Sequence, residues 1–262
     1  KSRTLPINEG PKMNYGSMPI DKGGLILSPE EAEKFKEECP EIAGLIRPYM
    51  GGEEFLNGSE RFCLWLEVAP PELVRSCPLV HARVESVRNF RAGSDREATK
   101  KLAETPYKFG EIRQPNSAYI LIPKVSSENR TYMPTGIAEP DVIANGSVLI
   151  IPNANLFIFG VLTSMMHMAW MRAVAGRMKS DYQYSAQIVY NNFPWPENPI
   201  DEQKKVVEDA AQAVLDARAQ FPISTLADLY DPNTMPKVLL DAHHALDRAV
   251  DACYGIKKPF LS

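Results

Sequence analysis

The chain has 262 residues, 44% of them hydrophobic and 24% charged, with 15 Gly, 22 Pro and a formal net charge of −4. That length buries a substantial core, and the composition excludes a disordered, collagen-like or coiled-coil chain. The acidic balance excludes a uniformly basic nucleic-acid coat, though not a local basic face.

Residues 1–27 are rich in Pro, Gly, Asn and Lys and read as a connecting arm, with residues 1–13 lying before the first domain. The chain starts at Lys1 with no signal-peptide pattern after it, which fits a chain excised from a longer protein or processed. Ser28-Pro29-Glu30-Glu31 predicts a helix start, with Ser28 as cap and Glu31 closing a capping box; Pro40 ends that helix. A short helix follows at 41–46. Residues 61–68 predict a half-buried strand, and 78–90 a helix with Leu79, Val80, Val84 and Val87 on one face. Further strands are predicted at 118–122, 130–133, 148–151 and 186–190, with one apolar helix at about 156–178. That helix contains His167 and Arg172, so a buried core element fits it better than a membrane span.

Two Pro in Phe193-Pro194-Trp195-Pro196 close the mixed region. Beyond it, 201–221 and 236–254 form an amphipathic helical hairpin, with a short helix near 224–229 between them and Gly255 as a stop. The predicted architecture is α+β: a mixed, largely antiparallel sheet with packed helices over residues 14–196, then a C-terminal helical domain over 197–262.

Charge is unevenly spread. Residues 28–60 carry a balance of −6, residues 81–130 a balance of +4 and residues 196–262 a balance of −4. A basic middle between acidic pieces permits phosphate contact. The four Cys (Cys39, Cys63, Cys77, Cys253) make no disulfide framework, which points to a reducing cytoplasm. A zinc site from Cys63, Cys77 and His81 lacks short-spaced ligand pairs. His243 and His244 read as surface residues, and His167 as a hydrogen-bonded core histidine. Gly23-Gly24 and Gly51-Gly52 lack phosphate-loop spacing. Glu202-Gln203-Lys204 with Asp141 upstream is a weak nuclease pattern. Asn191-Asn192-Phe193-Pro194-Trp195 has the wrong order for an amino-methyltransferase motif.

What remains suits recognition: polar loops at 113–116, 126–131 and 177–182. Arg and Lys bond the major-groove edge of guanine, Asn and Gln that of adenine, and Glu accepts from cytosine. Arg113, Arg130, Arg177 and Lys179 are the candidate phosphate or guanine contacts, with Ser127 and Tyr182 as backbone contacts. Gln114, Asn116, Glu128 and Asn129 are the candidate base readers; Glu128 alternatively holds Arg130 in place.

An ordered set of motifs resembles the target-recognition region of MmeI-like, type IIL restriction–modification DNA methyltransferases. It includes Gly16-Ser17-Met18-Pro19, Ile46-Arg47-Pro48-Tyr49-Met50-Gly51, Arg61-Phe62-Cys63-Leu64-Trp65-Leu66 and Ser126-Ser127-Glu128 with Arg130. It continues through His167-Met168-Ala169-Trp170, Asp181-Tyr182-Gln183-Tyr184-Ser185, Phe193-Pro194-Trp195-Pro196 and Leu226-Ala227-Asp228-Leu229-Tyr230-Asp231-Pro232. The resemblance implies sequence-specific binding of double-stranded DNA. It also implies an upstream methyltransferase domain of the same chain that uses S-adenosylmethionine to methylate adenine. This fragment would then hold no catalytic residues, cofactor or metal and touch no membrane. The alternatives are a protein-interaction module docking through the helical hairpin, and an unrecognised nuclease.

Overall fold

Ser28 opens the first helix by the predicted route. Its hydroxyl accepts the Glu31 N–H at 3.2 Å, and the Glu31 carboxylate accepts the Ser28 N–H at 3.0 Å. The computed structural model describes residues 2–7 and 10–256. In chain order the helices are α1 (Pro29–Glu38), α2 (Gly52–Asn57), α3 (Pro71–Ser76), α4 (Pro78–Ala92), α5 (Glu97–Lys101), α6 (Leu156–Thr163), α7 (Met165–Val174), α8 (Asp201–Ala219), α9 (Leu226–Leu229) and α10 (Lys237–Cys253). The strands are β1 (Asn14–Tyr15), β2 (Ile26–Leu27), β3 (Ile46–Met50), β4 (Phe62–Leu64), β5 (Tyr119–Pro123), β6 (Val125–Ser126), β7 (Gly136–Ala138), β8 (Ile143–Ala144), β9 (Val148–Pro152), β10 (Gly176–Met178) and β11 (Asp181–Gln183).

The α+β class holds, but the single expected sheet is three small ones. Strands β1-β9-β5-β7 are antiparallel; β10-β11-β6 are antiparallel; β2-β4-β3-β8 are mixed, with β3 and β8 parallel. Residues of β5 alternate between two cores: Ile120 and Ile122 face the main one, Tyr119 and Leu121 a smaller one behind. This two-sided burial is why β5 reads as an unbroken apolar run. A third core lies between α1, α4 and the β2-β4-β3 sheet. At its edge the fully buried Arg91 donates to five carbonyls, those of Pro19, Ile20, Leu102, Thr105 and Lys108, at 2.7–3.0 Å. It thereby pins the arm that the sequence left as a connector.

Four local expectations change. The apolar helix is two helices bent by 56° at Ser164, whose hydroxyl donates to the Val161 carbonyl on one side and accepts the His167 N–H on the other. No single described helix is long and apolar enough to cross a membrane. Residues 130–133 are not a strand, because side chains take up their carbonyls: Arg172 bonds those of Arg130 and Thr131. Residues 186–190 wind into a π-helical turn that buries Ala186, Val189 and Tyr190, a helical spacing and not an alternating one. Cys39 and Cys77, at the end of α1 and the start of α4, form a disulfide, against the expectation of none; Cys63 and Cys253 are buried thiols. With Cys77 bonded, the imagined zinc trio loses a ligand.

The main core is continuous across residue 197. Val207, Ala211 and Val214 of α8 and Leu246 and Val250 of α10 pack with Phe159, Val161 and Leu162 of α6. Gly160 makes this approach possible. A β-carbon there would meet Val207 Cγ1 at 2.8 Å and Ala211 Cβ and Leu246 Cδ1 at 3.2 Å. A buried polar seam crosses the same contact. Asp247 of α10 accepts the Met165 N–H at 2.7 Å and the Tyr132 hydroxyl at 2.7 Å. Arg218 bonds the Thr135 carbonyl at 2.6 Å and the Tyr230 hydroxyl at 2.7 Å, and that hydroxyl lies 2.8 Å from His243 Nε2. His243 is therefore buried and stacked on Tyr132, not a surface residue as expected. His167 meets its expectation: it is buried, with Nε2 2.8 Å from the Tyr184 hydroxyl.

Two outcomes follow from this packing. Gly160→Val lowers stability in chemical denaturation by about 1–3 kcal/mol through overpacking; an unchanged midpoint contradicts the close approach. Burial lowers the His167 pKa to about 3 and that of His243 well below the usual range, so both stay neutral when folded. Below about pH 6.5 the unfolded chain binds protons at these sites that the folded chain does not, so stability falls as pH falls. Each site contributes up to ~1.4 kcal/mol per pH unit. Burial raises the Asp247 pKa, which acts in the opposite sense, and the histidine double variant separates the two contributions. Melting temperature therefore drops from pH 7 to 5.5, and the double variant His167→Gln/His243→Gln loses that slope; a slope equal to wild type contradicts the assignment.

Candidate nucleic-acid interface

Strands β10 and β11 form a two-residue hairpin, Lys179-Ser180, in which Lys179 takes the left-handed conformation (φ 57°) that such turns require. Tyr182 and Gln183 of β11 pair with Ser126 and Val125 of β6, so the polar stretch after β6 lies beside the hairpin. A groove of about 980 Å³ opens here. One wall is the hairpin, through Met178, Asp181 and Gln183; the other is Gly52, Glu53, Gly146 and Ser147, with Lys124 and Arg130 also lining it. Period-two alternation separates the hairpin's faces: Met178, Asp181 and Gln183 line the groove, whereas Arg177 and Tyr182 lie on the opposite face.

The structure thus brings together two of the three predicted loops. Ser127 and Arg130 line the groove, and Glu128 and Asn129 are exposed beside it. The Glu128 N–H reaches Asp181 Oδ1 at 3.4 Å. Glu128 lies 3.8 Å from Arg177, not against Arg130, whose guanidinium bonds Ser126 Oγ at 3.4 Å. Arg177 stacks 3.8 Å from the Tyr182 ring and donates to the Ser180 carbonyl, so it braces the hairpin; Tyr182 itself is buried in the main core. Lys179 is exposed at the tip.

The 113–116 loop has a different place. Arg113 pairs with Glu111 and bonds the Gly16 carbonyl. Gln114 donates to the Pro140 and Val142 carbonyls at 3.1 and 2.8 Å and accepts the Ala144 N–H at 3.0 Å, which occupies its amide inside the fold. Asn116 is exposed at the Tyr119 end of β5, roughly 15 Å of strand away from the Lys124 end.

Sequence reasoning missed Lys124, Gln183 and Asp181 as lining residues. The signal for Lys124 was the Pro123 strand end beside a polar stretch; for the other two it was the alternation within 181–183. The Lys124 ammonium bonds the Gly146 carbonyl at 2.7 Å and sits 4.3 Å over the Tyr15 ring. Burial, and then the charge of Arg113, lower its pKa. A cation so placed is favoured by an anion. Most of the basic middle is otherwise satisfied locally: Arg83 pairs with Glu31, Arg88 with Glu85, Lys100 with Glu97 and Lys108 with Glu67. Among the described residues no group of three His, Cys, Asp or Glu is placed to hold a metal ion. The apolar face of the helical hairpin, the surface a protein-docking module would use, lies against α6 in the core.

Comparison with known proteins decides the family. The profile of the MmeI target recognition domain matches residues 1–197, and that of the MmeI C-terminal domain matches residues 200–262. The chain belongs to the MmeI family. It is 42% identical over 257 residues to DNA methyltransferase A of Bacillus subtilis (strain 168), covering 98% of this chain and 29% of that protein. A solved structure of the type IIL restriction–modification enzyme MmeI in complex with DNA superimposes with a TM-score of 0.94 and 46% identity, covering 99% of this chain and 34% of that one. The chain therefore spans about a third of the length of its MmeI-family relatives and corresponds to their target-recognition and C-terminal domains.

Proposed function

We propose that this chain reads the sequence of double-stranded DNA as the recognition part of a larger, S-adenosylmethionine-dependent, adenine-specific DNA methyltransferase of a restriction–modification system. The observation that carries the DNA reading is the likeness, over 99% of the chain, to an MmeI structure in complex with DNA. The methyl-donor chemistry is assigned to an upstream domain of the same chain, and the residues here do the reading.

In this reading the groove between the β10–β11 hairpin and the 146–147 turn lies against the duplex. Lys124, Arg130 and Lys179 contact phosphate or guanine. Asn129, Asp181 and Gln183 meet base edges, where an amide suits adenine and a carboxylate accepts from cytosine. Arg177, Glu128 and Tyr182 shape the hairpin and Ser127 lies at its foot, whereas Gln114 and Arg113 are occupied by groups of the fold outside the groove lining. Asn116 has no part in this groove.

Salt titration of duplex binding tests the reading. The logarithm of affinity falls linearly with the logarithm of salt concentration, and Arg130→Ala and Lys179→Ala each reduce that slope by about 0.9. Lys237→Ala, on the far helical hairpin, leaves it unchanged. Binding that ignores salt, or slopes equal to wild type in both groove variants, contradicts the assignment.

A further inference from the structure

Glu54 is a carboxylate almost wholly buried, in the short helix α2 at the edge of the groove, where Glu53 and Asn57 are exposed. One oxygen accepts the Gly51 N–H at 2.8 Å, and the other meets Arg61 Nε at 2.6 Å. Gly51 has no room for a side chain: a β-carbon would stand 2.2 Å from Asn145 Nδ2 and 2.7 Å from both Glu54 Oε2 and Ser147 Oγ. The next N–H, of Gly52, donates to Ser147 Oγ at 2.9 Å, and that hydroxyl donates to Asn145 Oδ1 at 2.6 Å. The Asn145 N–H in turn bonds the Met50 carbonyl at 2.8 Å. The corner at 50–52 and the turn at 145–147 are thus locked to each other, and Glu54 fixes the corner.

The locked turn lines the groove and also holds a cation that faces it. Lys124 is tied to the turn twice, by its N–H to the Ser147 carbonyl at 3.2 Å and by its ammonium to the Gly146 carbonyl at 2.7 Å. We propose that Glu54 is a positioning residue for DNA recognition: through the Gly51–Gly52 corner and the 145–147 turn it aims the Lys124 ammonium into the groove. This rests on the reading that the groove takes duplex DNA. Glu54 touches no DNA in this account and acts only through Lys124.

A double-mutant cycle on duplex binding tests it, with Glu54→Ala, Lys124→Ala and the pair, beside Glu54→Gln, which keeps an acceptor for the Gly51 N–H. Glu54→Ala weakens binding by the same factor as Lys124→Ala and lowers the salt slope by about 0.9. The pair is no weaker than either single variant, and Glu54→Gln binds within about twofold of wild type. Losses that multiply in the double variant, or a wild-type salt slope in Glu54→Ala, overturn the proposal. Ser147→Ala, which removes the Gly52 bond without exposing the buried pair, replaces Glu54→Ala if that variant does not fold. The NMR shift of the Lys124 side-chain nitrogen, read without DNA, separates the two layers. A shift that moves in Glu54→Ala while Lys124→Ala leaves DNA binding untouched overturns the groove reading. A shift that stays at its wild-type value overturns the positioning role itself.

Discussion

The buried start of α7 constrains the rest of the molecule. A helix N-terminus carries backbone N–H groups with no partner inside the helix, and burying them without acceptors is costly. Here Asp247 takes the Met165 N–H and the Ser164 hydroxyl the His167 N–H. The first acceptor comes from α10, more than eighty residues away, so the docking of α10 helps to fix the direction of α7. Because α7 runs straight into β10, that direction also sets where the hairpin projects. The C-terminal helices, whose apolar faces fill the core beside Gly160, thereby act as a brace for the groove.

The groove's electrostatics follow from the same economy of pairing. Ion pairs engage five of the ten cations between residues 81 and 130, and carbonyls hold Arg91; exposed pairs of this kind add little stability. Lys124 differs: a carbonyl and an aromatic face hold it, next to Arg113. The groove lining sets Lys124 and Arg130 beside the carboxylates of Glu53 and Asp181. The overall charge says little about this lining, because its balance depends on which cations and carboxylates the fold brings there.

Local signals in the sequence were reliable where one segment supplies both partners. The Ser28–Glu31 box, the Gly255 stop and the two C-terminal helices are of this kind. They were silent where the partner is remote. Ser164 breaks an apolar run that periodicity treats as continuous. His243 is buried because Tyr132 and Tyr230 cover it. Cys39 and Cys77 each sit beside a proline at a helix boundary, and only the packing of α1 against α4 brings them together. The recognition loops show the same division. The 126–131 and 177–182 stretches were visible as polar loops and do meet. Gln114 looked like a base reader, but its amide is occupied by backbone groups contributed by residues 140–144. The groove-facing role of Lys124 needs the 146–147 turn, which carries no motif.

In the proposed function, duplex DNA lies in the groove between the hairpin and the 146–147 turn. Lysine acylation footprinting of the chain with and without a bound duplex measures this most directly. The account predicts that DNA protects Lys124 and Lys179, while Lys100 and Lys101 on α5 and Lys205 on α8 react as before. Protection of the α5 lysines with Lys124 and Lys179 still reactive would contradict it.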